Sequence, residues 1–171
     1  MIFDRDGTLI DHVPYLNKAD LVRFKPDLIS SLQKLQKYGF KFGIISNQSA
    51  IGRGLATFED VIEINSKISL YLQENHIRIQ FSWFCPHTPS DNCGCRKPLL
   101  GLGLKALSTF NLNPEKSYMV GDQESDILFG RNLGCKTIYI GDNSGSVSAD
   151  YSTNELILAA NWIIQDYRSS V

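Results

Sequence analysis

Apolar and polar positions along the chain fall into two alternating rhythms. Short apolar runs at residues 2–3, 40–45, 77–84, 117–121 and 136–140 read as strands. Between them, Leu28, Ile29, Leu32, Leu35 and Gln36 recur at helical spacing, and further helices are predicted over 57–74, 100–110, 123–133 and 154–167. Turn chemistry marks the boundaries. Pro26-Asp27 opens the first helix and Gly39 closes it, Thr57 with Asp60 starts the second, Gly134 ends the fourth, and Ser152 with Glu155 forms a capping box for the last. Gly101 and Gly103 lie in the first turn of the third helix, at about 1 kcal/mol each relative to Ala, which close backbone approach would offset. Residues 11–25 are polar and carry Pro14, and read as a flap; 48–54 and 141–150 read as loops.

Strands that alternate with helices predict an α/β fold: a Rossmann-like doubly wound, mainly parallel sheet with helices on both faces. With only Met1, Ile2 and Phe3 ahead of Asp4, the first strand is expected to be clipped. At 171 residues the chain reads as a single domain over 1–171. About 40 residues separate Asp6 from Ser46 and about 50 separate Ser46 from Lys97, all filled by core elements, so no separate cap domain fits.

Composition narrows the class. Apolar content of 43% and charge of 20% are ordinary for a globular protein, and a net charge of −1 argues against nucleic-acid binding. No apolar run approaches the roughly 18 residues of a membrane span, and no signal segment opens the chain, so a cytoplasmic monomer without membrane or nucleic-acid partners is expected.

Candidate chemistry gathers at the strand ends. Asp4 and Asp6 follow the first strand, where open α/β sheets bind ligands. Two acids so placed repel unless a cation such as Mg²⁺ lies between them or one is protonated, although Asp-x-Asp-Gly is also common turn chemistry. Ser46, Asn47 and Gln48 end the second strand and supply neutral donors for an anion, or simply cap a turn. Arg96 and Lys97, held by Pro98, offer fixed positive charge. Asp122 sits at the fourth strand tip and Asp126 in the next helical turn, where it completes a metal shell through water or braces Lys97. Cys85, His87, Cys93 and Cys95 place three sulfurs and an imidazole within eleven residues. That set suits tetrahedral zinc, with reduced thiols or a Cys93–Cys95 bridge as alternatives. Cys135 reads as a small buried apolar residue.

Taken together, Asp4-Arg5-Asp6-Gly7-Thr8-Leu9, Ser46-Asn47-Gln48-Ser49 with Ile51-Gly52-Arg53-Gly54, the Cys-x-His and Cys-x-Cys-Arg-Lys-Pro segment, and Gly121-Asp122 with Asp126-Ile127 resemble the haloacid dehalogenase-like (HAD-like) phosphatases. Within them they resemble the zinc-loop group, the heptose bisphosphate phosphatases and their histidinol phosphatase relatives. The resemblance runs from Ile2 to about Tyr151. It implies Asp4 as nucleophile, Asp6 as general acid and base, Ser46 and Lys97 as stabilisers of the phosphoryl group, and Mg²⁺ on Asp4, Asp122 and the Asp6 main-chain carbonyl. It also implies zinc on Cys85, His87, Cys93 and Cys95, and contacts to a phosphorylated sugar from Arg5, Tyr15, Asn47, Gln48, Ser49, Arg53, Arg96 and Gln123. Two departures bear on substrate choice: Gln123 stands where the group commonly has Lys or Arg, and the flap residues before Tyr15 differ from the usual pattern. A phosphate-binding regulatory domain and a nucleic-acid end phosphatase are the other expectations weighed; intact Asp4, Asp6 and Lys97 disfavour the first, and the charge balance disfavours the second.

Overall fold

A computed structural model describes residues 1–142 and 148–169. The strands β1 (Ile2–Phe3), β2 (Phe42–Asn47), β3 (Ile79–Cys85), β4 (Tyr118–Gly121), β5 (Lys136–Ile140) and β6 (Tyr151–Thr153) form one sheet in the order β3-β2-β1-β4-β5-β6. Every neighbouring pair is parallel. The helices are α1 (Leu28–Lys37), α2 (Ser49–Gly52), α3 (Phe58–Glu74), α4 (Gly101–Phe110), α5 (Glu124–Leu133) and α6 (Leu156–Ser169).

Pleat alternation divides the core into two. Phe3, Phe42, Ile44, Tyr118 and Val120 face one side, where Leu32 and Leu35 of α1, Ile64 and Ile68 of α3 and Ile163 of α6 cover them. Ile2, Ile45 and Met119 face the other side, against Ala106 of α4 and Phe129 and Leu133 of α5. The expected doubly wound architecture is therefore present, with helices on both faces and, among the described residues, no cap domain inserted. Because β1 is central, with β2 on one flank and β4 on the other, the chain reverses its winding there. The end of β1 is thus the topological switch point, where such sheets leave a crevice.

Several local details depart from the sequence pattern. β6 lies in a stretch expected to be loop and helix start, and Ser152 is one of its residues, so it does not cap α6. Asp27 does that instead, Oδ2 accepting from Ile157 N at 2.6 Å, while Thr153 Oγ1 accepts from Glu155 N. An aspartate 130 residues away satisfies the helix end, a pairing that local periodicity does not encode. Residues 49–52, read as loop, form the short helix α2. Part of the loop expected over 141–150 lies outside the described residues. The capping box of α3 is as read, with Thr57 and Asp60 exchanging bonds.

Residues 11–25 pack as a wall. Leu16 and Val22 are buried in the core, and Asp11 N donates to Arg23 O and Lys25 N to Leu9 O. The glycines opening α4 are required by close approach: a Cβ on Gly101 would lie 2.5 Å from Gly94 O, and one on Gly103 2.8 Å from Phe129 Cζ.

Candidate active site

The tips of β1, β2 and β4 and the loop before α4 converge on one cleft. Asp4 leaves β1 with its N–H bonded to Val120 O of β4, which fixes the carboxylate over the switch point. Lys97 Nζ lies 2.6 Å from Asp4 Oδ1 and 2.7 Å from Asp126 Oδ1, and the lysine is buried. One oxygen each of Asp4, Asp122 and Asp126 falls within 4.8 Å of the others. Two of these acids, Asp4 and Asp126, share the one ammonium, and the third, Asp122, stands beside them. Burial, only partly offset by Lys97, pushes the Asp4 carboxyl up to about 8. Burial raises Asp122 too, while the amide of Gln123 and the imidazole of His12 pull it down. For Lys97 burial acts downward, but the charges of Asp4 and Asp126 outweigh it and hold the ammonium above the ordinary lysine value.

These donors fit a hard divalent cation. Asp122 Oδ1 is a buried carboxylate oxygen without a partner, whereas both oxygens of Asp126 are engaged, Oδ1 by Lys97 and Oδ2 by Gln123 N at 3.1 Å. Of the two roles open to Asp126, the geometry favours bracing Lys97. Gly7 makes the approach of Asp122 feasible: its φ is +86°, and a Cβ there would lie 2.1 Å from Asp122 Oδ2.

Ser46, at the end of β2, is buried with its hydroxyl unpartnered, as a donor awaiting an anion would be. The next two residues are differently employed. Asn47 Oδ1 accepts from Lys97 N at 3.0 Å and its Nδ2 donates to Lys97 O at 3.1 Å, so the side chain clamps the backbone that carries the ammonium. Gln48 and Arg5, both expected as substrate contacts, are buried and turned onto Asp6.

Arg96 lines the cleft and donates to His87 O at 3.2 Å, tying it to the cysteine loop. Gln123 is exposed and donates to Asp122 Oδ2 at 2.9 Å. Ser49 and Tyr15 line the outer part, and the Arg53 guanidinium sits 5.9 Å from the centre of the Tyr15 ring. Two lobes of about 320 and 360 Å³ share Asp6, His12 and Asn47, the first walled by residues 12–16 and the second by Arg96, Lys97 and Gln123. His12 lines both lobes, and no spacing or motif in the sequence distinguished it within the flap. Asn65, which accepts from Arg5 Nη1 at 3.0 Å, was hidden for the same reason, 60 residues from its partner.

Beside this cleft the four ligand atoms of Cys85, His87, Cys93 and Cys95 lie within 4.8 Å of one another. The three thiols are free, with Sγ separations of 3.1, 3.5 and 3.6 Å, so no Cys93–Cys95 bridge is present. Burial drives Cys85 up to about 12, while around Cys93 the Cys95 N–H and neighbouring donors outweigh burial and bring the thiol down to about 7. A soft, closed set of three sulfurs and one imidazole fits zinc. Cys135 is remote and buried in the second core cluster.

A parallel sheet with its acids at the switch point, a buried lysine on the leading aspartate and an unpartnered serine define a phosphatase of the HAD-like class. Residues 94–166 match the HAD-hydrolase-like family. The chain is 36% identical over 132 residues to a probable D-glycero-D-manno-heptose-1,7-bisphosphate 7-phosphatase of Thermoplasma acidophilum, covering 77% of this chain and 82% of that one. It is 32% identical over 170 residues to the D-glycero-beta-D-manno-heptose-1,7-bisphosphate 7-phosphatase of Yersinia pestis, covering 91% and 90%. The chain belongs to the HAD-like hydrolases, in the family these heptose bisphosphate 7-phosphatases represent. It is also 33% identical over 147 residues to the histidine biosynthesis bifunctional protein HisB of Campylobacter jejuni, covering 84% of this chain and 42% of that protein. Among solved structures, the D,D-heptose 1,7-bisphosphate phosphatase from B. bronchiseptica, complexed with magnesium and phosphate, shares the fold at a TM-score of 0.88 and 23% identity over 97% of this chain and 98% of that one.

Proposed function

We propose that this chain, a single domain over residues 1–171, is a Mg²⁺-dependent phosphomonoester hydrolase that removes the 7-phosphate of D-glycero-D-manno-heptose 1,7-bisphosphate. The observation that carries the reading is the Lys97 ammonium 2.6 Å from Asp4, beside the unpartnered Ser46 hydroxyl. The substrate follows the relatives at 36% and 32% identity.

A phosphate monoester is an anion, so a carboxylate approaches it only where the field has been reversed. Mg²⁺ held by Asp4, Asp122 and the main-chain carbonyl of Asp6 would supply that neutralisation. Lys97 and Ser46 bind the non-bridging oxygens. A carboxylate oxygen of Asp4 attacks phosphorus, the bond to the sugar oxygen breaks, and Asp6 delivers its proton to that oxygen. Water then attacks the aspartyl phosphate, Asp6 takes a proton from it, and the bond to Asp4 breaks to release inorganic phosphate.

Arg96, His12, Ser49, Tyr15, Arg53 and Gln123 line or rim the cleft and are proposed to contact the rest of the sugar. Zinc on the cysteine cluster would pin residues 85–97 and so seat Arg96 and Lys97. The chain is proposed to act as a monomer, and three neighbouring free thiols suit a reducing, cytoplasmic compartment. No helix of the described residues is long and apolar enough to cross a membrane. The likeness to HisB keeps histidinol phosphate as the second substrate reading.

The test is phosphate release with Mg²⁺ from heptose 1,7-bisphosphate, fructose bisphosphate and histidinol phosphate. Preference for the heptose, abolished by Asp4→Asn, is the expected result. Preference for histidinol phosphate overturns the substrate, and full turnover by Asp4→Asn overturns the nucleophile.

A further inference from the structure

Arg5 is the largest side chain sealed in the interior, and its charge is directed at one neighbour. Nε lies 3.0 Å from Asp6 Oδ2 and Nη2 lies 3.1 Å from Asp6 Oδ1, a bidentate fork on the carboxylate. The guanidinium is itself held from behind, Nη1 donating to Asn65 Oδ1 at 3.0 Å and Nη2 to Gln48 Oε1 at 2.8 Å. Gln48 closes the ring, its Nε2 donating to Asp6 Oδ2 at 2.8 Å, and its own main-chain N–H is fixed by Cys85 O at 2.7 Å. Asp6, by contrast, keeps part of its surface open and lines both lobes of the cleft.

We infer that Arg5, with Gln48, is a positioning residue that holds the Asp6 carboxylate at the cleft, and that neither side chain is a substrate contact. The inference rests on Asp6 being the general acid and base. A guanidinium with no exposed surface, whose donors meet Asp6, Asn65 and Gln48, presents nothing to a sugar phosphate in the cleft. A carboxylate held by a fork and an amide has its orientation fixed before substrate arrives, which is the condition for proton transfer in both steps. The clamp also joins three elements, because Asn65 belongs to α3, Gln48 follows β2 and Gln48 N is tied to the strand that leads into the cysteine loop.

The experiment compares Arg5→Met, Arg5→Lys and Gln48→Met with Asp6→Asn, on p-nitrophenyl phosphate and on an alkyl phosphate, with Mg²⁺. Nitrophenolate leaves without a proton, so a misplaced Asp6 spares its release and slows hydrolysis of the phosphoenzyme. The expected result for Arg5→Met and Gln48→Met is a stoichiometric nitrophenolate burst followed by turnover about 100-fold slower, KM for p-nitrophenyl phosphate falling with kcat because the phosphoenzyme accumulates, and no burst of alcohol from the alkyl ester, whose KM is little changed. Arg5→Lys restores charge but not the fork and should rescue only part of the rate. A rise in KM at unchanged kcat would make Arg5 a substrate contact and overturn the inference. Uniform loss of burst amplitude and rate would make it merely structural, and also overturn it. Where Arg5→Met does not fold, by circular dichroism, Gln48→Met carries the decision alone. If Asp6→Asn turns over both esters at the unaltered rate, the acid and base assignment fails; if Asp6→Asn is impaired while the Arg5 and Gln48 variants are not, only the positioning inference fails.

Discussion

Asp126 Oδ1 lies 2.7 Å from Lys97 Nζ, with both side chains almost completely withdrawn from water. Its Oδ2 accepts from the Gln123 N–H that opens α5, so one carboxylate braces the cleft ammonium and caps a helix at once. In Asp126→Asn the amide can accept from Lys97 through one atom, but then turns a second donor toward the Gln123 N–H. The expected outcome is a loss of about 1–2 kcal/mol in stability and at least a tenfold fall in kcat, with the half-saturating Mg²⁺ concentration unchanged. Thermal melts and a magnesium titration of phosphate release check it, since a direct metal ligand would move the titration midpoint.

Gly7 admits no side chain for two independent reasons. Its φ of +86° is unfavourable for L residues by about 1–2 kcal/mol, and the Cβ of Gly7→Ala would meet Asp122 Oδ2 at 2.1 Å. The carboxylate has to retreat. Gly7→Ala is therefore expected to raise the half-saturating Mg²⁺ concentration and lower kcat together, again by magnesium titration.

The cysteine cluster yields a separate expectation. Gln48 N bonds Cys85 O, Gly101 N bonds Gly94 O, and Arg96 Nη1 bonds His87 O, so the loop's own backbone positions cleft residues. Cys95→Ser should abolish stoichiometric zinc by elemental analysis, lower the melting temperature and depress kcat. Excess Mg²⁺ should not restore the rate, because the deficit lies in the seating of Lys97.

How far the sequence foretold these features depended on sequence distance. The strands, the main helices and the acids of the cleft were legible because periodicity and short motifs report local structure. Arg5 was expected to contact substrate; that it is buried against Gln48 and Asn65, 43 and 60 residues away, was not legible, because nothing local tells a buried arginine from a free one. Asn47 was legible as a strand-tip amide, yet its pairing with the Lys97 backbone spans 50 residues. β6 escaped because three half-buried residues, Tyr151–Thr153, carry too short a pattern, and their strand character comes from the edge offered by β5.

Away from the cleft, Asp166 accepts from Tyr118 Oη at 2.6 Å and pairs with Lys136, tying α6 to β4 and β5. Although burial opposes it, these partners hold the Asp166 carboxyl below its usual value. A depressed folded value means the contribution is complete above the unfolded carboxylate value of about 3.9 and is lost as pH falls through the lower, folded one. Asp166→Asn should therefore lower stability near neutral pH by about 1 kcal/mol, discounted because Lys136 is partly exposed. Denaturation curves of the two proteins should converge as pH falls to about 2.

Substrate choice is expected to reside at the rim, where Gln123 stands in place of the basic residue that the resemblance led one to expect. Its amide donates to Asp122 Oδ2 at 2.9 Å, so it is turned toward the acids and away from the outer lobe. A lysine there would add charge at an exposed position, beside a lobe that already holds Arg96. Gln123→Lys should lower KM for a bisphosphate more than for a monophosphate of similar size, with kcat little changed, because a contact made equally in ground and transition states acts on binding alone. Parallel kinetics on the two esters measure the difference. A fall in kcat instead, with no discrimination between the esters, would mean that Gln123 serves the Asp122 carboxylate and takes no part in reading the substrate.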